Sequence, residues 1–385
     1  MAQGREGSDL EITARMAGEG HEQVVHFSDP AVGLRMIVAV HSTALGPSLG
    51  GVRFWHYETD DDALVDALRL SRAMSLKASA AGLDQGGGKA VVIWDDPHRE
   101  RDEEFRRAIG RAIQTLGGRY IAAEDVGATP ADMGGIALET PWVTGVDPGI
   151  GGSGDPSPAT AWGLFHAMQS VVAEAIGDSA LAGRRVVVVG VGHVGGRLVE
   201  DLVAAGASVA VADIDPERVE AMVSAHGVDV VQVSEVLTEP CDILAPCALG
   251  GLLTVESVAS LRCRAVCGAA NNQLLDAAAG DALAARGILY APDFVVNAGG
   301  VINVAMEWAP GGYTKEKAMA RAAGVGDTTA RVLAAARDRG VPPFRVAEDL
   351  AWERIHNGGS SRWWMPGDPA AWTDGAPLTH LRTPR

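Results

Sequence analysis

Three charged side chains in the first part of the chain stand where local sequence could turn charge into chemistry. Lys77 and Lys89 flank the segment Ala-Ser-Ala-Ala-Gly-Leu-Asp-Gln-Gly86-Gly-Gly, which reads as a glycine-rich turn. Lys89 is followed by an apolar run with few polar neighbours to keep it in water. Desolvation lowers a lysine's pKa and makes its amine useful as a base or proton donor. Asp125 follows the run Tyr120 to Ala123, in Ala-Ala-Glu-Asp125-Val-Gly127. A carboxylate at the C-terminal end of a strand is well placed to exchange protons with a bound amine, although it could equally cap a turn.

A second constellation lies further along. Val186-Val-Val-Val-Gly190-Val-Gly192-His193-Val194-Gly195 puts a Gly-x-Gly-x-x-Gly directly after a β-branched run and before a segment of helical character. In that setting Gly190 permits a tight turn and Gly192 lets backbone approach a pyrophosphate. Gly195 lets the helix pack closely on the strand, with its N-terminus facing the phosphates. Asp213 ends the next strand, 23 residues beyond Gly190. A carboxylate there accepts from a ribose and repels a 2′-phosphate, so the expected cofactor is NAD. Arg218 is the nearest base and reads as too far along to reverse that preference. His193, inside the turn, reads as an exposed side chain.

These residues must be positioned by alternating strands and helices. Leu34 to Val40, Lys89 to Trp94 and Tyr120 to Ala123 read as strands, Asp60 to Ala81 and Glu103 to Leu116 as helices, with Thr59 or Asp60 capping the first. Gly145 to Pro158 is rich in glycine and proline and reads as an interdomain hinge, followed by a helix from Ala159 to Ile176. Strands at Arg185 to Val189, Ser208 to Ala212, Ile243 to Ala245, Ala265 to Cys267 and Ile288 to Tyr290 follow. The expected fold is α/β in two domains. Residues 1–147 form an N-terminal substrate and oligomerisation domain; residues 148–330 form a Rossmann NAD-binding domain. Residues 331–385, ending in a Gly-, Pro- and Trp-bearing tail that reads as irregular, return to the first.

Bulk properties narrow the function. A formal net charge of −17 repels phosphate backbones, so nucleic acid is not an expected partner. No apolar run is long enough to span a bilayer and the N-terminus lacks signal-peptide features, so a cytoplasmic protein is expected. Cys241, Cys247, Cys263 and Cys267 lack the paired spacing of a zinc site and read as free thiols; no metal is expected.

Together the motifs resemble the Glu/Leu/Phe/Val dehydrogenase family, closest to its leucine, valine and phenylalanine members. The resemblance runs from about Gln23 to about Glu307. It is carried by Gly46-Pro-Ser-Leu-Gly-Gly-Val-Arg53, Gly86-Gly-Gly-Lys89, Ala123-Glu-Asp-Val-Gly127 and the glycine fingerprint. Ala245-Pro-Cys-Ala-Leu-Gly-Gly251, Gly268-Ala-Ala-Asn-Asn-Gln273 and Tyr290-Ala-Pro-Asp-Phe-Val-Val-Asn-Ala-Gly-Gly300 complete it.

The resemblance implies that Lys77 binds a substrate α-carboxylate and Lys89 polarises the carbonyl and activates water. It implies that Asp125 shuttles protons at nitrogen and that Gly50 and Gly51 line the substrate entrance. Asn271, Asn272 and Asn297 would lie near the nicotinamide and the substrate's main-chain groups, Asn271 and Ala248 on the cofactor side with Val194. Leu49 stands where glutamate-specific relatives carry a lysine. Burying a glutamate side chain there would leave a charge unpaired. With Val296 and Val301 it points to a branched-chain substrate.

The implied reaction is reversible NAD-dependent oxidative deamination of an apolar L-amino acid to a 2-oxo acid and ammonia, by a homo-oligomer. Gln85, where relatives often have an apolar residue or histidine, leaves room for an aromatic or specialised amino acid. A 2-hydroxy-acid dehydrogenase would need a catalytic histidine motif that is missing. A non-catalytic NAD-binding regulator would not need Lys77, Lys89 and Asp125 together.

Overall fold

The computed structural model describes residues 12–96, 99–248, 250–309 and 311–358. The tail expected to be irregular lies outside the described residues from position 359 on. Two sheets organise the chain. The first contains β1 (Gln23–Asp29), β2 (Leu34–Ser42), β3 (Ser48–Trp55), β4 (Gly86–Ile93) and β5 (Tyr120–Glu124), in the order β1-β2-β4-β3-β5. β1, β2 and β4 pair antiparallel; β3 runs parallel to both β4 and β5.

The second sheet contains β6 (Arg185–Val189), β7 (Ser208–Ala212), β8 (Asp229–Val230), β9 (Cys241–Pro246), β10 (Cys263–Val266) and β11 (Leu289–Tyr290). Its order is β11-β10-β9-β6-β7-β8 and every pair is parallel. Read from β8, that is the doubly wound 3-2-1-4-5-6 order, with the topological switch between β6 and β9. Val186, Val187 and Val188 are completely buried, as a strand covered on both faces requires.

The glycines before Lys89 depart from the expected turn. Gly86, Gly87 and Gly88 are the start of β4 itself. They are there because other elements crowd that strand: the Ser42 carbonyl at Gly86, the helix Asp60–Ala80 at Gly87, and Ser48 and Tyr120 at Gly88. A Cβ on Gly87 would sit 2.1 Å from the backbone nitrogen of Ser75, and one on Gly88 2.7 Å from the Tyr120 ring. A local glycine run mimics a turn when its real cause is close approach of another element. The strands β1 and β3 were not read from sequence; β3 is interrupted by Gly50 and Gly51, which mask its apolar run.

The helix Asp60–Ala80 carries Lys77. Thr59 caps it through a capping box: its Oγ accepts from the Asp62 N–H while the Asp62 side chain accepts from the Thr59 N–H. Asp60, Asp61 and Asp62 occupy the first turn and Lys77 the last, both favourable to the helix dipole. The helix Val325–Arg339 packs on Ser157–Ile176, whereas the last described helix, Pro343–Asn357, packs on Asp60–Ala80. That return is fixed by a hydrogen bond from Ser79 Oγ to the Ala351 carbonyl and one from Arg354 to the Leu83 carbonyl. Among the described residues no helix is long and apolar enough to cross a membrane.

A histidine pair seals this junction. His21 and His41 are buried and meet edge to face, and His41 also touches Trp352 of the last helix. His41 Nδ1 accepts from Ser75 Oγ–H and its Nε2–H donates to the Glu19 carbonyl, which satisfies the neutral ring. Burial pushes His41 down to about 4 and lowers His21 as well. The unfolded chain therefore binds more protons between about 4 and the ordinary histidine value of about 6.5. His41's contribution is complete above that value and falls as pH drops towards 4, by about 3 kcal/mol in full. A His41→Asn variant should lose less stability than wild type between pH 7 and pH 5 in urea titrations. Equal losses would contradict this.

Candidate active site

A cleft of about 690 Å³ opens between the two sheets. One wall comes from β3, β4, β5 and the helix Asp60–Ala80, the other from the loops after β10 and β11 and the helix Gly299–Ala305. The end of β5 and the loops after β10 and β11 are C-terminal strand ends, where α/β sheets place ligands, while β3 and β4 contribute residues from within the strands.

Lys89 projects into this cleft from β4 and is only 4 % exposed. Its Nζ donates to Asp125 Oδ2 at 2.7 Å. Burial lowers the Lys89 pKa, against the opposing pull of Asp125. Burial alone would raise Asp125, but the charges of Lys89 and Arg53 outweigh it and hold the carboxyl below its usual range. Gly51 makes room for this pair: a Cβ there would lie 2.4 Å from Asp125 Cβ. Gly50 and Gly51 both line the cleft. Their carbonyls accept from the buried Tyr120 hydroxyl.

Lys77 reaches the same cleft from its helix end, and its Nζ donates to Asn271 Oδ1 at 3.3 Å on the opposite wall. Burial lowers its pKa to about 8, with Asp293 pulling the other way. Asn297 Nδ2 donates to the same Asn271 oxygen and to the Ala269 carbonyl. Asn297 is buried and its own Oδ1 has no partner among the described residues, an orphaned acceptor at the cleft wall. Asn272 also lines the cleft, with φ of 52°, the one non-glycine among the described residues in the left-handed region.

Apolar residues lining the cleft include Leu49, Met74, Ala123, Val301 and Val304. Val296 is not among these residues. It is completely buried in the core, at the end of the short helix Asp293–Val296 that precedes the one carrying Val301 and Val304. In the helix Gly299–Ala305 the spacing of Val301 and Val304 puts both on one side, which was the signal available for Val304.

At the switch point, Gly190 has φ of 96°, and a Cβ on it would lie 2.6 Å from Ala248 Cβ. A Cβ on Gly195 would lie 1.9 Å from the Gly190 carbonyl oxygen, so the turn and helix are in van der Waals contact. The helix His193–Ala204 starts at Gly192 with no side-chain cap, and Val194 in its first turn lines the cleft. His193 is exposed. Asp213 directly follows β7; its Oδ2 accepts from the Val191 N–H and its Oδ1 from the Asp215 N–H. Arg218 is closer than its sequence distance implies. Its Nη1 lies 3.8 Å from where a Cβ on Gly192 would stand, because the helix Pro216–His226 directs its first turn at the glycine loop. Arg218 also pairs with Asp215 at 3.1 Å.

The segment between the sheets, read as a hinge, is pinned by a residue the motifs did not single out. Buried Glu307 accepts from the N–H groups of Gly145 and Ser153 at 2.9 and 2.8 Å, one oxygen serving both. Burial raises its pKa. The four cysteines are free, and burial pushes the Cys241 and Cys247 thiols up to about 12. Among the described residues no group of His, Cys, Asp and Glu is arranged to hold a metal ion.

Comparisons with known proteins agree with this arrangement. The family model for the Glu/Leu/Phe/Val dehydrogenase dimerisation domain matches residues 21–142, and that for glutamate/leucine/phenylalanine/valine dehydrogenase matches residues 215–357. A TrkA-N domain model matches residues 186–238, across the glycine turn. The leucine dehydrogenase of Thermoactinomyces intermedius is 46% identical over 90% of this chain and 94% of its own. The valine dehydrogenase of Streptomyces virginiae is 48% identical over 87% of this chain and 94% of its own. The solved L-tryptophan dehydrogenase from Nostoc punctiforme superposes with a TM-score of 0.78 at 36% identity, covering 90% of this chain and 99% of that one.

The protein is thus an amino-acid dehydrogenase with a nicotinamide cofactor, an oxidoreductase acting on the CH–NH2 group of its donor. Within that class, the chain belongs to the Glu/Leu/Phe/Val dehydrogenase family.

Proposed function

We propose that the protein reversibly deaminates a branched-chain L-amino acid to its 2-oxo acid and ammonia, with NAD as cofactor. The observation that carries the reading is one cleft that holds a buried Lys89–Asp125 pair and an apolar wall with Leu49, Val301 and Val304, and that reaches Val194 in the first turn of the helix that starts uncapped at Gly192. The leucine and valine specificities of the relatives support it.

The cleft fits a dinucleotide. The uncapped helix start leaves N–H donors for a pyrophosphate, and the orphaned Asn297 oxygen leaves an acceptor for an amide N–H. Bound there, the cofactor supplies the hydride acceptor for the substrate Cα. Asp213 would hold the adenosine ribose, with Val194 and Ala248 at the turn. The remaining work falls to this chain's side chains. Lys77 anchors the α-carboxylate, with Asn271 and Asn297 fixing its ammonium group. Asp125 takes a proton from the substrate amine. Lys89, desolvated and of lowered pKa, activates the water that adds at Cα, and Asp125 returns a proton to the departing nitrogen. Closure about the segment from Gly145 to Pro158 would exclude bulk water from these steps. Assembly as a homo-oligomer belongs to the same reading, supported by the dimerisation-domain match over residues 21–142.

The test is initial rates for a panel of 2-oxo acids with ammonia, under NADH and under NADPH. Branched-chain oxo acids with NADH should be fastest. Phenylpyruvate or indolepyruvate leading would overturn the substrate, and NADPH leading would overturn the cofactor. Replacing Asp213 with alanine should raise the KM for NAD by about tenfold and narrow the gap to NADP, since it removes the carboxylate that repels a 2′-phosphate while Arg218, paired with Asp215, stays beside the glycine loop. An unchanged ratio of the two cofactors would remove Asp213 from the ribose site.

A further inference from the structure

Asp125 is held by more than Lys89. Arg53, at the end of the Gly50-Gly51-Val52 segment of β3, donates from Nε to Asp125 Oδ2 at 2.9 Å. This is the oxygen that Lys89 also occupies, at 2.7 Å. Asp125 Oδ1 accepts no hydrogen bond among the described residues. The guanidinium is itself fixed from behind. Arg53 Nη1 donates to Asp66 Oδ2 at 3.0 Å, and Asp66 in turn accepts from Tyr57 Oη at 2.7 Å and from Arg69 Nη2 at 2.8 Å. Arg53 lines the cleft yet is mostly buried, with 20 % of its side chain exposed, and Asp66 16 %.

We propose that Arg53 is a positioning residue for the reaction: braced by Asp66, it shares Asp125 Oδ2 with Lys89 and so leaves Oδ1 as the oxygen that meets the substrate nitrogen. The inference rests on the reading of Asp125 as the proton carrier. Two cations on one oxygen fix the carboxylate's rotation about Cβ–Cγ, which a single lysine on a flexible stem does not. The planar guanidinium suits the task because one face of it engages Asp125 while the other end engages Asp66. A lysine has one point of attachment and cannot span both. Arg53 also adds positive charge beside the catalytic pair. The groups facing Asp125 are Lys89 from β4, Arg53 from β3, Tyr120 from β5, and Asp66 and Lys77 from the helix Asp60–Ala80, with Tyr57 behind Arg53. Removing the Arg53 charge raises the affinity of both Asp125 and Lys89 for protons. The acid limb of the rate profile therefore moves to higher pH whichever of the two carries it.

The experiment compares Arg53→Gln, Arg53→Lys and Asp125→Asn with wild type, by kcat, KM for the 2-oxo acid, and the pH profile of amino-acid oxidation. Arg53→Gln should lower kcat by about 10- to 100-fold with KM within about threefold, and shift the acid limb upward. Arg53→Lys should keep the limb in place, because the charge remains, but recover only part of kcat. A Gln variant with wild-type kcat and an unmoved limb would overturn the proposal. So would one whose only defect is a lower melting temperature, with turnover per folded molecule intact. Asp125→Asn separates the two levels of the argument. If it turns over normally, the reading of Asp125 has failed; if it is inactive while Arg53→Gln is normal, only the role of Arg53 has.

Discussion

Replacing Lys89 with alanine is expected to lower ammonia-dependent turnover by about 10³-fold or more, while the dissociation constant for NADH stays within about twofold of wild type. The expectation comes from where the amine sits. Lys89 is almost wholly buried, in β4, with its Nζ 2.7 Å from Asp125. In water an ammonium with the ordinary lysine pKa of about 10.4 is a poor base at neutral pH. Burial brings the pKa down, so a neutral amine becomes accessible at lower energy. No nearby side chain replaces it: Arg53 keeps its proton, and Lys77 is committed to the opposite wall through Asn271. Asp125 would retain Arg53 as a partner, so the variant does not leave an unpaired buried carboxylate and should fold. The glycine turn is built from β6, β7 and β9, away from Lys89, which is why cofactor binding should survive. Measured kcat together with NADH titration by fluorescence checks both halves. Wild-type turnover in the variant would remove Lys89 from the chemistry.

The second large effect concerns selectivity. Leu49→Lys should reduce kcat/KM for leucine by about 10²-fold or more and move the leucine-to-glutamate preference by about 10³-fold. Leu49 is 1 % exposed and sits on β3 between Gly87 of β4 and Ile121 of β5. An ammonium introduced there is buried in the strand, and the Asp125 carboxylate of the same cleft is already held by Lys89 and Arg53. An apolar substrate side chain would leave that charge desolvated and unpaired, which costs several kcal/mol; a glutamate side chain would supply the missing partner. Competition of the two amino acids in one assay gives the ratio directly. An unchanged ratio would mean that Leu49 does not meet the substrate side chain.

The parts of this site legible in the sequence were those whose cause is local. The valine run before Gly190 needs no tertiary information to read as a buried parallel strand, and the glycine spacing after it follows from the turn's own sterics. The capping box at Thr59 and the placement of Lys77 at its helix end are likewise local. What escaped had non-local causes. Gly86 to Gly88 read as a turn because nothing in the sequence says that a helix and neighbouring strands press on them. Val296 read as a pocket residue because motif membership carries no facing; it is buried in the core, and Val304 of the next helix lines the cleft instead. Arg218 read as distant because sequence separation overstates the gap across a tight strand-to-helix turn. Glu307, which ties Gly145 to Ser153 from far along the chain, has no local signature at all.

The central claim is that this protein makes and breaks a bond from carbon to nitrogen while a hydride moves at the same carbon. The most direct measurement is the mass spectrum of the product formed from 4-methyl-2-oxopentanoate, ¹⁵N-ammonia and NADH carrying deuterium at nicotinamide C4 on the transferred face. The account predicts L-leucine with one deuterium at Cα and ¹⁵N in its amino group. A deuterated 2-hydroxy acid without nitrogen would contradict it, as would leucine lacking either label.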